Sequence, residues 1–175
     1  RMLEFKGKAN IFHSRDEALA GIKAGKVKPG DVVVLRGLGV IGGPGMAMTS
    51  AVIFALDGAG LLDRVAAITE GQLSGLVNHG LVVGEASPEA AAGGPLAFVE
   101  NGDTISIDVK RKVVDLEVPE SVLAERRKSA RTTSKKSRRL ASTRRPGKRK
   151  SISSASTPSR ARSLARRSSA NRRKR

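Results

Sequence analysis

Two loops in this 175-residue chain have the composition of a ligand site. The first, Arg36-Gly37-Leu38-Gly39-Val40-Ile41-Gly42-Gly43-Pro44-Gly45-Met46, sets five glycines within the nine residues from Gly37 to Gly45. Glycine loses more backbone freedom on folding than any other residue, so such a run suits close main-chain approach to a ligand or turns with positive φ. The second, Ile68-Thr69-Glu70-Gly71-Gln72-Leu73-Ser74-Gly75, carries a lone hydroxyl, Ser74, in a glycine-flanked turn just past an apolar segment. Each loop alone also reads as an ordinary turn; together they point to a site at the ends of strands. Arg36, closing its strand at the first loop, is suited to pair with a ligand carboxylate. Asn78 is a candidate polar contact. His79 reads either as a group that orients a hydroxyl or as an exposed loop residue, and His13 as structural or solvated. Glu70 and Glu85 are the acids nearest the two loops, Glu85 reading as a hydrogen-bonding partner of backbone.

The elements that must position these residues are legible in outline. Ser14-Arg15-Asp16-Glu17 is a capping box opening a helix through about Ala24. Lys28-Pro29-Gly30-Asp31 is a turn, and Val32 to Leu35 a buried β-branched strand running into the glycine loop. Thr49 to Ala59 has apolar Val52, Ile53 and Leu56 on one face and predicts a helix closed by Gly60. Strands follow at Arg64 to Thr69 and Gly80 to Gly84, then a short helix begun by Ser87-Pro88-Glu89 and stopped by Gly93-Gly94-Pro95. Leu96 to Glu100 and Thr104 to Val109 flank Asn101-Gly102 and predict a hairpin. Lys112 to Val118 is a last strand, and Pro119 to about Lys128 a closing helix. With about six strands and about four helices, and the late strands clustered as hairpins rather than βαβ units, the pattern predicts a barrel-like or open-sheet α+β domain rather than a Rossmann fold. Neither loop matches Gly-x-Gly-x-x-Gly or a Walker A sequence.

Charge divides the chain. Residues 1–125 hold 12 Lys+Arg and 16 Asp+Glu, a net of −4; residues 126–175 hold 21 Lys+Arg and no acid, a net of +21. The expected organisation is a folded domain over residues 1–127 and a disordered Arg/Lys/Ser-rich tail over 128–175. Such a tail would bind nucleic acid through phosphates; the alternative reading is the product of a frameshift in a GC-rich gene, not selected for binding at all. The absence of cysteine excludes disulfides and thiolate metal sites within the chain. With no Trp or Tyr, base stacking has little support. No apolar run reaches the roughly 18–20 residues that span a bilayer, and Arg1-Met2-Leu3-Glu4-Phe5 begins no signal peptide, so a cytoplasmic protein is expected. A start without Met at position 1 reads as a fragment of a longer frame.

Several motifs in register resemble the C-terminal domain of the dihydroxy-acid and sugar-acid dehydratases. They are Lys28-Pro29-Gly30-Asp31-Val32-Val33-Val34, Gly42-Gly43-Pro44-Gly45-Met46, Thr69-Glu70-Gly71-Gln72-Leu73-Ser74-Gly75, Val83-Gly84-Glu85-Ala86-Ser87-Pro88-Glu89-Ala90-Ala91, Gly93-Gly94-Pro95 and Glu100-Asn101-Gly102-Asp103. The resemblance covers roughly residues 10 to 127. It implies a swivelling β/β/α barrel-like domain of a homo-oligomeric hydro-lyase that turns a 2,3-dihydroxy acid or sugar acid into a 2-keto acid. It also implies an iron–sulfur cluster and magnesium, held largely by a larger N-terminal domain that this chain lacks. By the resemblance Ser74 is the base that removes the C2 proton; Arg36, Gly43, Gly45, Gly75 and Asn78, read from their places in and beside the two loops, are the candidate substrate contacts, and no residue here is assigned as a metal ligand. A serine hydroxyl is a poor base at neutral pH and needs nearby cations and amide donors. Three positions depart from the family pattern. Glu70 replaces the usual Asp, Gln72-Leu73 replaces Arg-Phe, and Met48 stands where the family has a magnesium-ligating Glu. A thioether does not replace a hard oxygen ligand for magnesium.

Overall fold

The protein is described by a computed structural model that covers residues 2–46, 48–75, 77 and 79–130. Asn78 and residues 131–175, nearly all of the expected tail, lie outside the described residues. The chain begins with a strand, β1 (Glu4–Phe12), followed by α1 (Arg15–Lys23), β2 (Asp31–Leu35), α2 (Ser50–Gly58), β3 (Ala66–Thr69) and β4 (Leu81–Val83). Two 3-10 turns, Ala90–Ala92 and Pro95–Phe98, lead to β5 (Thr104–Asp108) and β6 (Val113–Leu116), and residues 120–130 form a helix, α3. The six strands make one mixed sheet in the order β4-β3-β2-β1-β5-β6, curled into a half-barrel. β1 to β4 are parallel neighbours, whereas β5 and β6 run antiparallel on the far side of β1.

The α+β class holds, but two expectations are corrected. βαβ units are present, two in succession, because β1 supplies the first parallel strand; the sequence reading had no strand there. Leu96 to Glu100 is also not a strand. Pro95 starts a 3-10 turn, and the Asn101-Gly102 turn bonds to β1 instead of closing a hairpin. Ile11 N–H donates to Asn101 Oδ1 (2.7 Å) and Gly102 N–H to the Ala9 carbonyl (2.8 Å). The partners of β5 are β1 and β6, with Ile105 opposite Gly7 and Leu116.

Period-two alternation sorts the sheet into two cores. Val33, Leu35, Ala67 and Phe12 pack under α1 and α2 with Ala18, Ile22, Val52, Ile53 and Leu56. Val32, Val34, Ala66, Ile68, Ala9 and Ile11 face the other way, against Ile105, Ile107, Leu96 and Val99. β2 is central and buried on both faces, which is why it reads as an unbroken apolar run. Gly7 is required by close approach: a Cβ there would stand 2.2 Å from the Gly30 carbonyl oxygen. At α1 the Ser14 hydroxyl accepts from Glu17 N–H (3.1 Å), while the Glu17 carboxylate reaches one residue further back than in a capping box, to His13 N–H (2.7 Å). α3 is fastened by Arg126, which donates to Asp103 (2.6 and 3.1 Å) and to the Phe98 carbonyl (2.9 Å). The helix continues through residues 128–130.

Candidate functional site

Because β1 to β4 are parallel, the loops that follow them emerge at one end of the sheet, where α/β-type sheets place their ligands. The glycine loop after β2, the Ser74 loop after β3 and the segment after β4 meet there, held together mainly by two carboxylates. Glu70 is only 4% exposed; its oxygens accept from Gly37 N–H (2.7 Å) and Ala90 N–H (2.5 Å). Glu89 accepts from the successive amides of Val40 (3.1 Å) and Ile41 (2.8 Å). Each glutamate thus satisfies main-chain donors of a loop that has no regular partner for them. Gly43 is fixed by crowding, since a Cβ there would stand 2.5 Å from the carbonyl oxygens of Gly37 and Gly39.

The Ser74 loop is stitched to the same framework. Gln72 N–H donates to the Gly45 carbonyl (2.8 Å), and Gly45 N–H to that of Gly39 (3.0 Å), so Gly45 is a buried joint between two loops. Ser74 N–H donates to Ser50 Oγ (3.1 Å) at the start of α2, and the Ser74 carbonyl accepts from Val77 N–H (3.1 Å). Ser74 is half-buried and Gly75 exposed. Thr49, beside Ser50, is fully buried and is the one described residue with an unpartnered buried side-chain oxygen. Sequence reasoning passed over Ser50 and Glu89. The signal for Glu89 was its place after Ser87-Pro88, in the first turn of the expected short helix.

Other candidates are engaged differently. Arg36 Nη1 donates to the Leu96 and Val99 carbonyls (3.1 and 2.8 Å), and Nη2 lies 3.4 Å from His13 Nε2. Its guanidinium therefore fastens the 3-10 turn to the end of β2. Glu85 is exposed with φ +54°, and its N–H donates to the Gly71 carbonyl (3.3 Å); the side-chain role expected of it falls to Glu70 and Glu89. His79 is exposed. A cavity of about 510 Å³ opens beside the glycine loop, its wall including Gly43 but not Ser74.

The family model described as "Dihydroxy-acid/6-phosphogluconate dehydratase C-terminal" matches residues 1–157. Dihydroxy-acid dehydratases of Methanothrix thermoacetophila (52% identical over 131 residues, 75% of this chain and 24% of the relative) and Aquifex aeolicus (50% over 129 residues, 74% and 23%) are similar to it. So is that of an Anaeromyxobacter strain, 47% identical over 137 residues, 78% of this chain and 24% of the relative. The chain belongs to the dihydroxy-acid/6-phosphogluconate dehydratase family. It matches the C-terminal region and spans about a quarter of the length of these relatives. No helix among the described residues is long and apolar enough to cross a membrane.

The metal groups that the family implies do not fit the residues of this dehydratase domain. The chain has no cysteine for a cluster, and no group of three His, Asp or Glu that could hold a metal occurs among the described residues. Met48 is 65% exposed with φ +50°, and its sulfur lies 3.7 Å from Arg15 Nη1, a cation in place of a cation's ligand.

Proposed function

We propose that this chain is the C-terminal part of a hydro-lyase acting on a 2,3-dihydroxy acid or sugar acid. In this reading it brings the loop end of its sheet to a site completed by the remaining three quarters of a dehydratase. The observation that carries the reading is the junction of the Ser74 loop, the start of α2 and the glycine loop at the ends of the parallel strands. Ser74, held as an alkoxide, is its proton-handling group: it takes the C2 proton of the hydroxy acid, the C3 hydroxyl leaves as water with that proton returned to it, and the enol so formed tautomerises to the 2-keto acid. Ser50 Oγ, bonded to the Ser74 main chain, holds the loop in place. Gly75 exposes main chain to the substrate beside it, whereas Gly43 and Gly45 act by shaping the loop. Arg36 steadies the floor of the site through the 95–99 turn. Asn78, on the same loop, remains the candidate contact to a substrate hydroxyl. The iron–sulfur cluster and magnesium of the family would be held by the other part of the enzyme in this reading, since no group of three His, Asp or Glu that could hold a metal occurs among the described residues. Closure by swivelling of this domain, assembly as a homo-oligomer and a cytoplasmic location complete the proposal.

Co-expression of the chain with the N-terminal portion of a dehydratase from the same genome tests it, with 2-keto acid formation as the readout. The expected result is activity in the complemented pair, none in this chain alone, and a loss of about 10²–10⁴-fold in Ser74→Ala without loss of fold. Turnover by the chain alone, or full activity of the alanine variant, overturns it.

A second reading is favoured by one observation, the +21 charge over residues 126–175. In it the domain is a scaffold and the basic segment binds nucleic acid. That binding would fall steeply with salt.

A further inference from the structure

Apart from Gly43, the cavity beside the glycine loop is lined by residues to which the proposed reaction assigns no role. Its lining includes Gly42, Gly43, Met46 and Met48 on one side and His13, Ser14 and Arg15 at the start of α1 on the other. Asp16 is the one carboxylate in the lining. Asp16 Oδ1 takes two of the Arg15 donors, Nε and Nη2, both at 2.8 Å, but its side chain is 77% exposed and so largely solvated. The remaining donor of Arg15, Nη1, points to Met48 Sδ at 3.7 Å. A thioether is a weak acceptor, and an anionic oxygen would replace it with gain. His13 is exposed, and its Nε2 lies 3.4 Å from Arg36 Nη2, so a second guanidinium adds positive potential at the rim.

We propose that this cavity is an oxyanion site, taking a carboxylate or phosphate group on Arg15 Nη1 with His13 as a second contact, and that it rejects a divalent cation. The same features argue both halves. Magnesium requires several hard oxygen ligands, and the lining offers one carboxylate, Asp16, already held by Arg15, with the Met48 thioether beside that guanidinium. An oxyanion requires hydrogen-bond donors and little competing negative charge; Arg15 and His13 supply the donors, and Asp16 is the one carboxylate in the lining. The site stands on this chain's own residues. Only its assignment to the carboxylate of a hydroxy acid, rather than to free phosphate, rests on the dehydratase reading.

Amide chemical shifts of the whole chain test the proposal during titration with inorganic phosphate, acetate and magnesium chloride at constant ionic strength. Reading only residues 13–16 and 42–46 separates the cavity from the basic C-terminal segment. Phosphate or acetate is expected to move these amides saturably, the tighter of the two naming the source of the anion. Arg15→Gln should weaken that titration by about tenfold or more, as loss of a charge-assisted hydrogen bond does, and leave the melting transition in place. Magnesium should leave the same amides still in the parent chain and move them in Met48→Glu. Unmoved amides with both anions, equal titrations of the parent and Arg15→Gln, or a magnesium response in the parent overturns the proposal. Complementation to an active dehydratase is a separate readout, so either idea can fail without the other.

Discussion

Glu70→Ala removes the acceptor of two loops at once, and its cost follows from the geometry. Glu70 is 4% exposed and its carboxylate receives Gly37 N–H at 2.7 Å and Ala90 N–H at 2.5 Å. Hydrogen bonds to a charged group contribute about 1.5–3 kcal/mol each, which bounds the loss at about 3–6 kcal/mol. Two effects pull it to the lower end. Gly37 is exposed and Ala90 half-buried, so water reaches both stranded donors, and removing a buried carboxylate relieves its desolvation. A loss of about 3 kcal/mol lowers the melting temperature by about 10 °C in a domain of this size. Glu70→Gln keeps one carbonyl oxygen but turns an NH₂ toward the second donor, so it falls between parent and alanine. Thermal and urea unfolding of the whole chain gives the order, and hydrogen exchange at Gly37 and Ala90 localises it. If alanine unfolds within about 0.5 kcal/mol of the parent, the range of a neutral surface change, the clasp is not what holds these loops.

Gly7→Ala sets a methyl against the Gly30 carbonyl oxygen at 2.2 Å and should cost at least about 1–3 kcal/mol by urea unfolding, as overpacking does; a neutral result would mean that β1 and the turn before β2 separate freely. Burial alone would raise the Asp103 pKa, but the Arg126 guanidinium and the Glu100 N–H outweigh it and hold the carboxyl below its ordinary value. Its contribution is therefore present above the ordinary Asp value of about 3.9 and is lost as pH falls through and below it, so Asp103→Asn should flatten the acid limb of the stability–pH curve. Limited trypsin should cut after Arg127, exposed on α3, or further along and spare the Arg126 bond, because Arg126 is only 18% exposed; early cleavage at Arg126 would show that α3 is not anchored.

What the sequence disclosed depended on how strongly each segment signals by itself. β2 is a run of four apolar residues between a turn and a glycine loop, and it was plain. β1 carries the same alternation, with Phe5, Gly7, Ala9 and Ile11 against Lys6, Lys8 and Asn10. Glycine and alanine on the buried side diluted it, and at Gly7 the close approach of the Gly30 carbonyl leaves no room for a side chain. Missing β1 hid the first βαβ unit and made the fold look less parallel than it is. The hairpin at Asn101-Gly102 failed for a different reason: the turn residues were read correctly, but tertiary bonds from β1 outcompeted local pairing. At the site the glycines and Ser74 were visible from spacing. The role of Glu89 was not, since it touches Val40 and Ile41 across 48 or 49 positions of sequence.

Those long-range contacts also decide how the loop end behaves. Within the glycine loop Gly45 N–H donates to the Gly39 carbonyl, and two glutamates from the later loops complete its hold, one buried and one at the rim. A bound oxyanion beside Arg15 would meet a loop whose amides at Val40 and Ile41 are already engaged by Glu89. The loop is therefore organised before any ligand arrives, and binding there need not supply the free energy of ordering five glycines. Glu70 links that organised loop to the turn that carries Ser74, four residues further along the same chain. Glu70 shares that link with the main-chain bond from Gln72 to Gly45, and of the two only the Glu70 side chain is removed by substitution, which makes Glu70 the position where loss of fold and loss of site should coincide.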